Sequence, residues 1–190
     1  MNNSEEDNPW HIQHSESKYQ NPWIELTEHQ VLNPSGNPGI YGVVHFKNLA
    51  LGILAVEPDL NIWLVGQYRF PLNEYSWEIP EGGGALDLPP LESAKRELEE
   101  ETGLTAQKWE HILTMHLSNS VSDEKAYIWI ATDLKSGTAS PEETELLKIK
   151  KIPLTQAFDE VKAGKITDSM TVAAILILQL KVLDGWRPKK

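Results

Sequence analysis

Three glutamates constrain this chain more than any other feature. In the run Arg96-Glu97-Leu98-Glu99-Glu100-Glu101-Thr102-Gly103-Leu104, Glu97, Glu100 and Glu101 stand at i, i+3 and i+4. On a helix that spacing projects them from one face, a turn apart. Like charges so close together weaken an isolated helix. A hard divalent cation relieves the repulsion, and Mg²⁺ prefers carboxylate and phosphate oxygens. Leu91, Ala94 and Leu98 fall on a different face and can anchor the helix in a core. Pro89 and Pro90 suit a first turn, and Gly103 sits where a C-terminal cap belongs. Acidic helix faces are most often plain solvated surface. Three neighbours shift the balance here: the Gly82-Gly83-Gly84 loop before the helix, Arg96 beside the acids, and the Gly that stops the helix. A glycine loop lets backbone approach a ligand closely, and its carbonyls can bind metal.

The rest of the composition narrows the classes. A chain of 190 residues fits one domain, or one domain with an added arm. A formal net charge of -11 argues against a nucleic-acid backbone binder, which needs clustered Lys and Arg. A small phosphate substrate stays open, because a bound cation can invert the local field. With no Cys, disulfides and thiolate metal sites are excluded. No apolar run is long enough for a bilayer, and the polar, acidic residues 1–9 do not read as a signal peptide, so the expectation is a cytoplasmic protein.

Along the chain, residues 1–21 are polar with little periodicity and read as a mobile tail. Strands are expected over 23–32 and 40–46, separated by a turn dense in Asn, Pro and Gly. Residues 53–56 and 62–68 flank Glu57-Pro58-Asp59-Leu60-Asn61 and read as a hairpin. A short strand from Trp77 runs into the glycine loop, and the acidic helix spans 91–102. Strands follow over 109–117, 126–131 and 145–152. Residues 154–163 read as a helix ended by Gly164. Asp168 can cap a last helix over 169–183, apolar enough to be packed on most sides. This order suggests an α+β class or an α/β/α sandwich.

The acidic segment resembles the Nudix box, G-x5-E-x7-R-E-U-x-E-E-x-G-U, with U a bulky aliphatic residue. Gly82 fills the first glycine, and Arg96, Glu97, Leu98, Glu100, Glu101, Gly103 and Leu104 fill the second half. One position departs: Leu88 stands where the first Glu falls, with Asp87 beside it but out of register. That Glu mainly supports the loop in the family, so its loss bears on loop geometry and rate more than on metal binding. The resemblance implies an α+β, Nudix-type α/β/α sandwich with a mixed sheet and an N-terminal β-strand arm. It implies Mg²⁺ (Mn²⁺ as a substitute) on Glu97, Glu100, Glu101 and the backbone carbonyl of Glu81. Arg96 would orient a helix Glu. A metal-activated water would attack one phosphorus of a diphosphate.

Beyond the box, the chain from Trp23 onward is similar to the ADP-ribose and nucleotide-sugar pyrophosphatases. The likeness includes Val65-Gly66-Gln67-Tyr68-Arg69, Trp77-Glu78-Ile79-Pro80-Glu81-Gly82, Ser122-Asp123-Glu124 and Ile166-Thr167-Asp168. It implies that Arg69 contacts the diphosphate, as a planar guanidinium suits two phosphate oxygens. Glu78, Gly82 and Gly83 would lie near the substrate, and Glu124 would support the metal site. A catalytic base is expected from residues 136–145, with Glu142 and Glu143 ranked above Glu145. Trp10, Tyr19, Trp23 and Trp77 are all candidates to stack a base. The branch implies a tail over 1–21, a strand arm over 22–48, a Nudix hydrolase domain over 49–190, and a homodimer. The expected activity is hydrolysis of ADP-ribose to AMP and ribose 5-phosphate, with no nucleic acid or membrane partner. An ADP-hexose or GDP-mannose is the alternative substrate. A non-catalytic Nudix ligand-binding module is the alternative class, though such modules usually lose box carboxylates that this chain keeps.

Overall fold

The computed structural model describes residues 7–140 and 146–188. The chain divides into two compact units, Met1–Lys47 with Ser118–Glu124, and Asn48–Leu117 with Lys125–Lys190.

The first unit carries an antiparallel sheet of β1 (His11–Gln20), β2 (Ile24–Leu32) and β3 (Pro38–Phe46), in that order. The residues read as a mobile tail therefore include a strand. Its side chains are exposed on both faces, so nothing selects an apolar alternation that periodicity could detect. What holds β1 is backbone pairing to β2, from His11↔Leu32 to Gln20↔Glu25. Asn33 shapes the β2–β3 turn by accepting from the N–H groups of Ser35 and Asn37, both at 3.0 Å. The segment Ser118–Glu124 is tied to β3: Val44 N–H donates to Val121 O at 2.8 Å, and Phe46 N–H to Asp123 Oδ1 at 3.0 Å.

The second unit contains β4 (Asn48–Ala55), β5 (Asn61–Arg69), β6 (Glu74–Glu78), β7 (Glu81–Ala85), α1 (Pro90–Thr102), β8 (Leu104–His116), β9 (Lys125–Ser136), β10 (Lys148–Pro153), α2 (Leu154–Lys162) and α3 (Ser169–Leu183). One sheet has the order β7-β4-β9-β8 and is mixed, because β4 and β9 run parallel while the other pairs are antiparallel. The other is antiparallel, in the order β10-β5-β6. Strand β4 explains the layering. Its residues Leu51, Ile53 and Ala55 pack with Ala94 and Leu98 of α1, whereas Leu54 packs with Met170, Ala174, Ile175 and Leu178 of α3. A strand buried on both faces reads as a continuous apolar run and needs a cover on each side. Full burial of each large aliphatic side chain here contributes roughly 1.5–3 kcal/mol.

Three expectations change. The Glu57–Asn61 turn forms, with Glu57 N–H donating to Asn61 O at 2.9 Å, and Val56 bridges Ile62. Beyond that bridge β4 and β5 part into different sheets, so no hairpin ladder follows. The glycine loop is itself a strand, β7, paired with β4 from Asn48↔Ala85 to Gly52↔Glu81. Helix α3 is also less enclosed than its composition suggests, since Leu180 and Leu183 are exposed. Among the described residues no helix is long and apolar enough to cross a membrane.

Candidate active site

Helix α1 lies against β7 because two glycines let it. A Cβ at Gly82 would collide with the Glu97 carboxylate, and one at Gly84 with Leu51 and Ser93. At its far end α1 stops on Gly103, whose φ of 70° is the left-handed conformation and whose N–H donates to Glu99 O at 2.8 Å. The helix is thus fixed at both ends, with Glu97 and Glu101 buried and Glu100 at the edge.

Each acid has a defined partner. Glu101 Oε2 accepts from the backbone N–H of Glu81 at 2.9 Å. Arg96 spans Glu97 and Glu100, and its Nη2 also donates to Gly83 O at 3.1 Å. Burial alone would lower the Arg96 pKa, but the charges of Glu97 and Glu100 raise it. Arg69, at the end of β5, forms a fork with Glu78 at the end of β6. Nε reaches the two Glu78 oxygens at 3.0 and 3.1 Å, and Nη2 reaches Oε2 at 2.6 Å. The same Nη2 donates to Glu81. Burial acts to lower the Arg69 pKa; the Glu78 hydrogen bond and the charges of Glu81, Glu78 and Asp168 override it and hold the guanidinium protonated.

Asp168 completes this group. Its Oδ2 accepts from Thr171 N–H at 2.7 Å and so caps α3. Thr171, fully buried, accepts in turn from Ile79 N–H at 2.9 Å, which fixes the corner between β6 and β7. One carboxylate oxygen each from Glu78, Glu81 and Asp168 lies within 4.8 Å of the others. Burial, with repulsion from Asp168 and Glu78, pushes the Glu81 carboxyl well above the usual carboxylate range despite Arg69.

The structure therefore brings Arg69, Glu78 and Glu81 together, and Arg96, Glu97, Glu100, Gly82 and Gly83 together, with Glu101 joined to Glu81. Glu124 belongs to the first unit, where burial and the Asp123 charge raise its pKa. Glu142, Glu143 and Glu145 lie outside the described residues. Leu88 sits in the turn before α1, half exposed, with its N–H on Ala85 O at 3.2 Å. Trp77 carries the Lys150 ammonium over its ring at 4.1 Å, and Trp10 meets Tyr41 edge-on, while Tyr19 and Trp23 are exposed. In the sequence Asp168 reads as a helix cap and as the end of the Ile166-Thr167-Asp168 likeness, with no tie to a cluster of acids. No local spacing relates it to Glu78 and Glu81, so only folding discloses the cluster.

A hard divalent cation fits these residues. The donors are all carboxylates, the Gly82 cradle is closed to any side chain, and Glu81 Oε2 is buried without a hydrogen-bond partner among the described residues.

Fold and site define an α+β domain organised around a carboxylate-bearing helix. Residues 47–171 match the model of the NUDIX domain, and residues 10–44 match that of the nucleoside diphosphate sugar hydrolase N-terminal domain. The chain belongs to the Nudix family. It is 33% identical over 160 residues to an ADP-ribose pyrophosphatase of Bacillus subtilis (strain 168), covering 83% of this chain and 86% of that one. An ADP-ribose pyrophosphatase of Mycobacterium tuberculosis is 32% identical over 182 residues, covering 92% and 86%. A methanol dehydrogenase activator of Bacillus methanolicus is 31% identical over 160 residues, covering 83% and 86%. The solved structure of an ADP compounds hydrolase superposes with a TM-score of 0.83 at 20% identity, over 96% of this chain and 98% of that one, which shows a shared fold.

Proposed function

We propose that this chain hydrolyses the diphosphate of a nucleoside diphosphate sugar, with ADP-ribose, giving AMP and ribose 5-phosphate, as the leading substrate and Mg²⁺ as the cofactor, Mn²⁺ replacing it. One observation carries the reading: a guanidinium suited to a diphosphate, Arg69, is held by Glu78 and Glu81, whose own N–H holds Glu101 of the box helix. The names of the two pyrophosphatase relatives support the substrate class.

In this reading Glu97, Glu100, Glu101 and the carbonyl of Glu81 hold the metal. A bound divalent ion supplies charge neutralisation and lowers the pKa of water. Arg96 fixes Glu97 and Glu100 so that they do not swing to solvent. Gly82 leaves room for the Glu97 carboxylate, and Gly83 lets substrate oxygens approach backbone where a side chain would stand. Arg69 is always charged, and its guanidinium, held in place by Glu78 and Glu81, meets the diphosphate oxygens. The proton of the attacking water passes to a carboxylate of the 136–145 stretch, Glu142 or Glu143. The proposed form is a cytoplasmic homodimer with an arm over 22–48. The exposed Trp23 and Ile40 on the first unit favour such a contact.

The test is a panel of nucleotide sugars with Mg²⁺, read by chromatography of the nucleoside monophosphate. Release of AMP from ADP-ribose at the highest kcat/KM of the panel is expected. A better turnover of an ADP-hexose or GDP-mannose replaces the substrate, and no turnover of any member refutes the enzyme.

A further inference from the structure

We infer that Glu78, Glu81 and Asp168 form a divalent-cation site of their own, additional to the box carboxylates. The three acids arrive from three elements: the end of β6, the start of β7 and the residue that caps α3. One oxygen from each lies within 4.8 Å of the others, close enough for a single ion to be shared. Arg69 is their cationic partner, bonded to both oxygens of Glu78 and to Oε1 of Glu81. Once all three acids are ionised, three carboxylates against one guanidinium leave an excess of two negative charges, which one divalent ion matches.

Glu81 adds an independent observation. Glu81 Oε2 is buried and accepts no hydrogen bond among the described residues, and the Glu81 side chain is only 8% exposed. Most buried acceptors in native proteins have a partner, and an ion is one that can serve an exception. Asp168 uses Oδ2 on the Thr171 N–H, which anchors its carboxylate at the first turn of α3. The donor set is all oxygen, which selects Mg²⁺ or Mn²⁺ over thiophilic metals. The ion would tie the first turn of α3 to the corner that presents Arg69. This site goes beyond the nucleotide-sugar reading and does not depend on it.

The experiment uses Mn²⁺ alone, titrated into the full-length metal-stripped protein, with free ion measured by electron paramagnetic resonance. Wild type is expected to hold one more ion than Asp168→Asn, or to hold that ion at least about tenfold more tightly. Asn retains an oxygen for the Thr171 N–H, so the cap survives. Glu81→Gln is expected to lose the same ion and decides the matter if Asp168→Asn does not fold by circular dichroism. Glu101→Gln should lose a different ion and keep this one. Equal stoichiometry and affinity in wild type, Asp168→Asn and Glu81→Gln overturns the site, as does loss of all bound Mn²⁺ with Glu101→Gln alone. No nucleotide enters the measurement, so a failed substrate panel leaves its outcome intact.

Discussion

Gly82 and Gly83 are neighbours on one strand, and the structure assigns them opposite tolerances. A Cβ on Gly82 would overlap the carboxylate of Glu97, whereas a Cβ on Gly83 meets only the Asn48 side chain, whose nearest atom is 3.4 Å away. Glu97 cannot easily yield, because Arg96 grips it while also bonding Gly83 O. Forcing a methyl into a filled space costs about 1–3 kcal/mol. Replacing glycine by alanine restricts the unfolded chain and returns about 0.4–1 kcal/mol. The expected net loss for Gly82→Ala is therefore about 1–2 kcal/mol, while Gly83→Ala should fall within about 0.5 kcal/mol of wild type. Urea unfolding followed by tryptophan fluorescence measures both. Because the displaced group is a proposed metal ligand, Gly82→Ala should also lose about a hundredfold in kcat, the penalty for a misplacement near 1 Å. The reasoning is refuted if the two alanine variants have the same unfolding midpoint, or if Gly82→Ala turns over at the wild-type rate.

Further outcomes follow from the same geometry. Glu101→Gln should abolish most turnover of the best substrate with an unchanged circular dichroism spectrum; a wild-type rate would remove Glu101 from the proposed metal set. Arg69→Met leaves Glu78 and Glu81 without their guanidinium and should destabilise the fold by about 2–3 kcal/mol, less than the roughly 3–5 kcal/mol for breaking a fully buried pair because Arg69 is 34% exposed; denaturant titration at pH 7 reads it. Glu81 is raised in the folded chain, so the fold binds its proton more tightly than the unfolded chain does. That contribution to stability is fully present below the ordinary carboxylate pKa and is lost as pH rises toward the folded value. Metal-free wild type should therefore lose stability relative to Glu81→Gln across that window, with a limiting slope of about 1.4 kcal/mol per pH unit. Parallel pH profiles for the two proteins would falsify the assignment.

Local physics was legible without coordinates. The spacing of Leu91, Ala94 and Leu98 against Glu97, Glu100 and Glu101 follows from a helical repeat, and Gly103 stops the helix because few other residues adopt its φ. These are interactions over a few residues, so the sequence of the box determined helix, cap and acidic face together. Pairing between distant segments is different in kind. Whether β4 joins β5 depends on what covers each face of β4, and periodicity within β4 carries no record of that. The glycines of β7 read as a loop because their function is to make room for α1, a partner that appears only on packing. Asp168 meets Glu78 and Glu81 because α3 docks where Thr171 can take the Ile79 N–H. Sequence chose the chemistry of the acids; the fold decided which of them come together, since short-range propensity ends where tertiary contact begins.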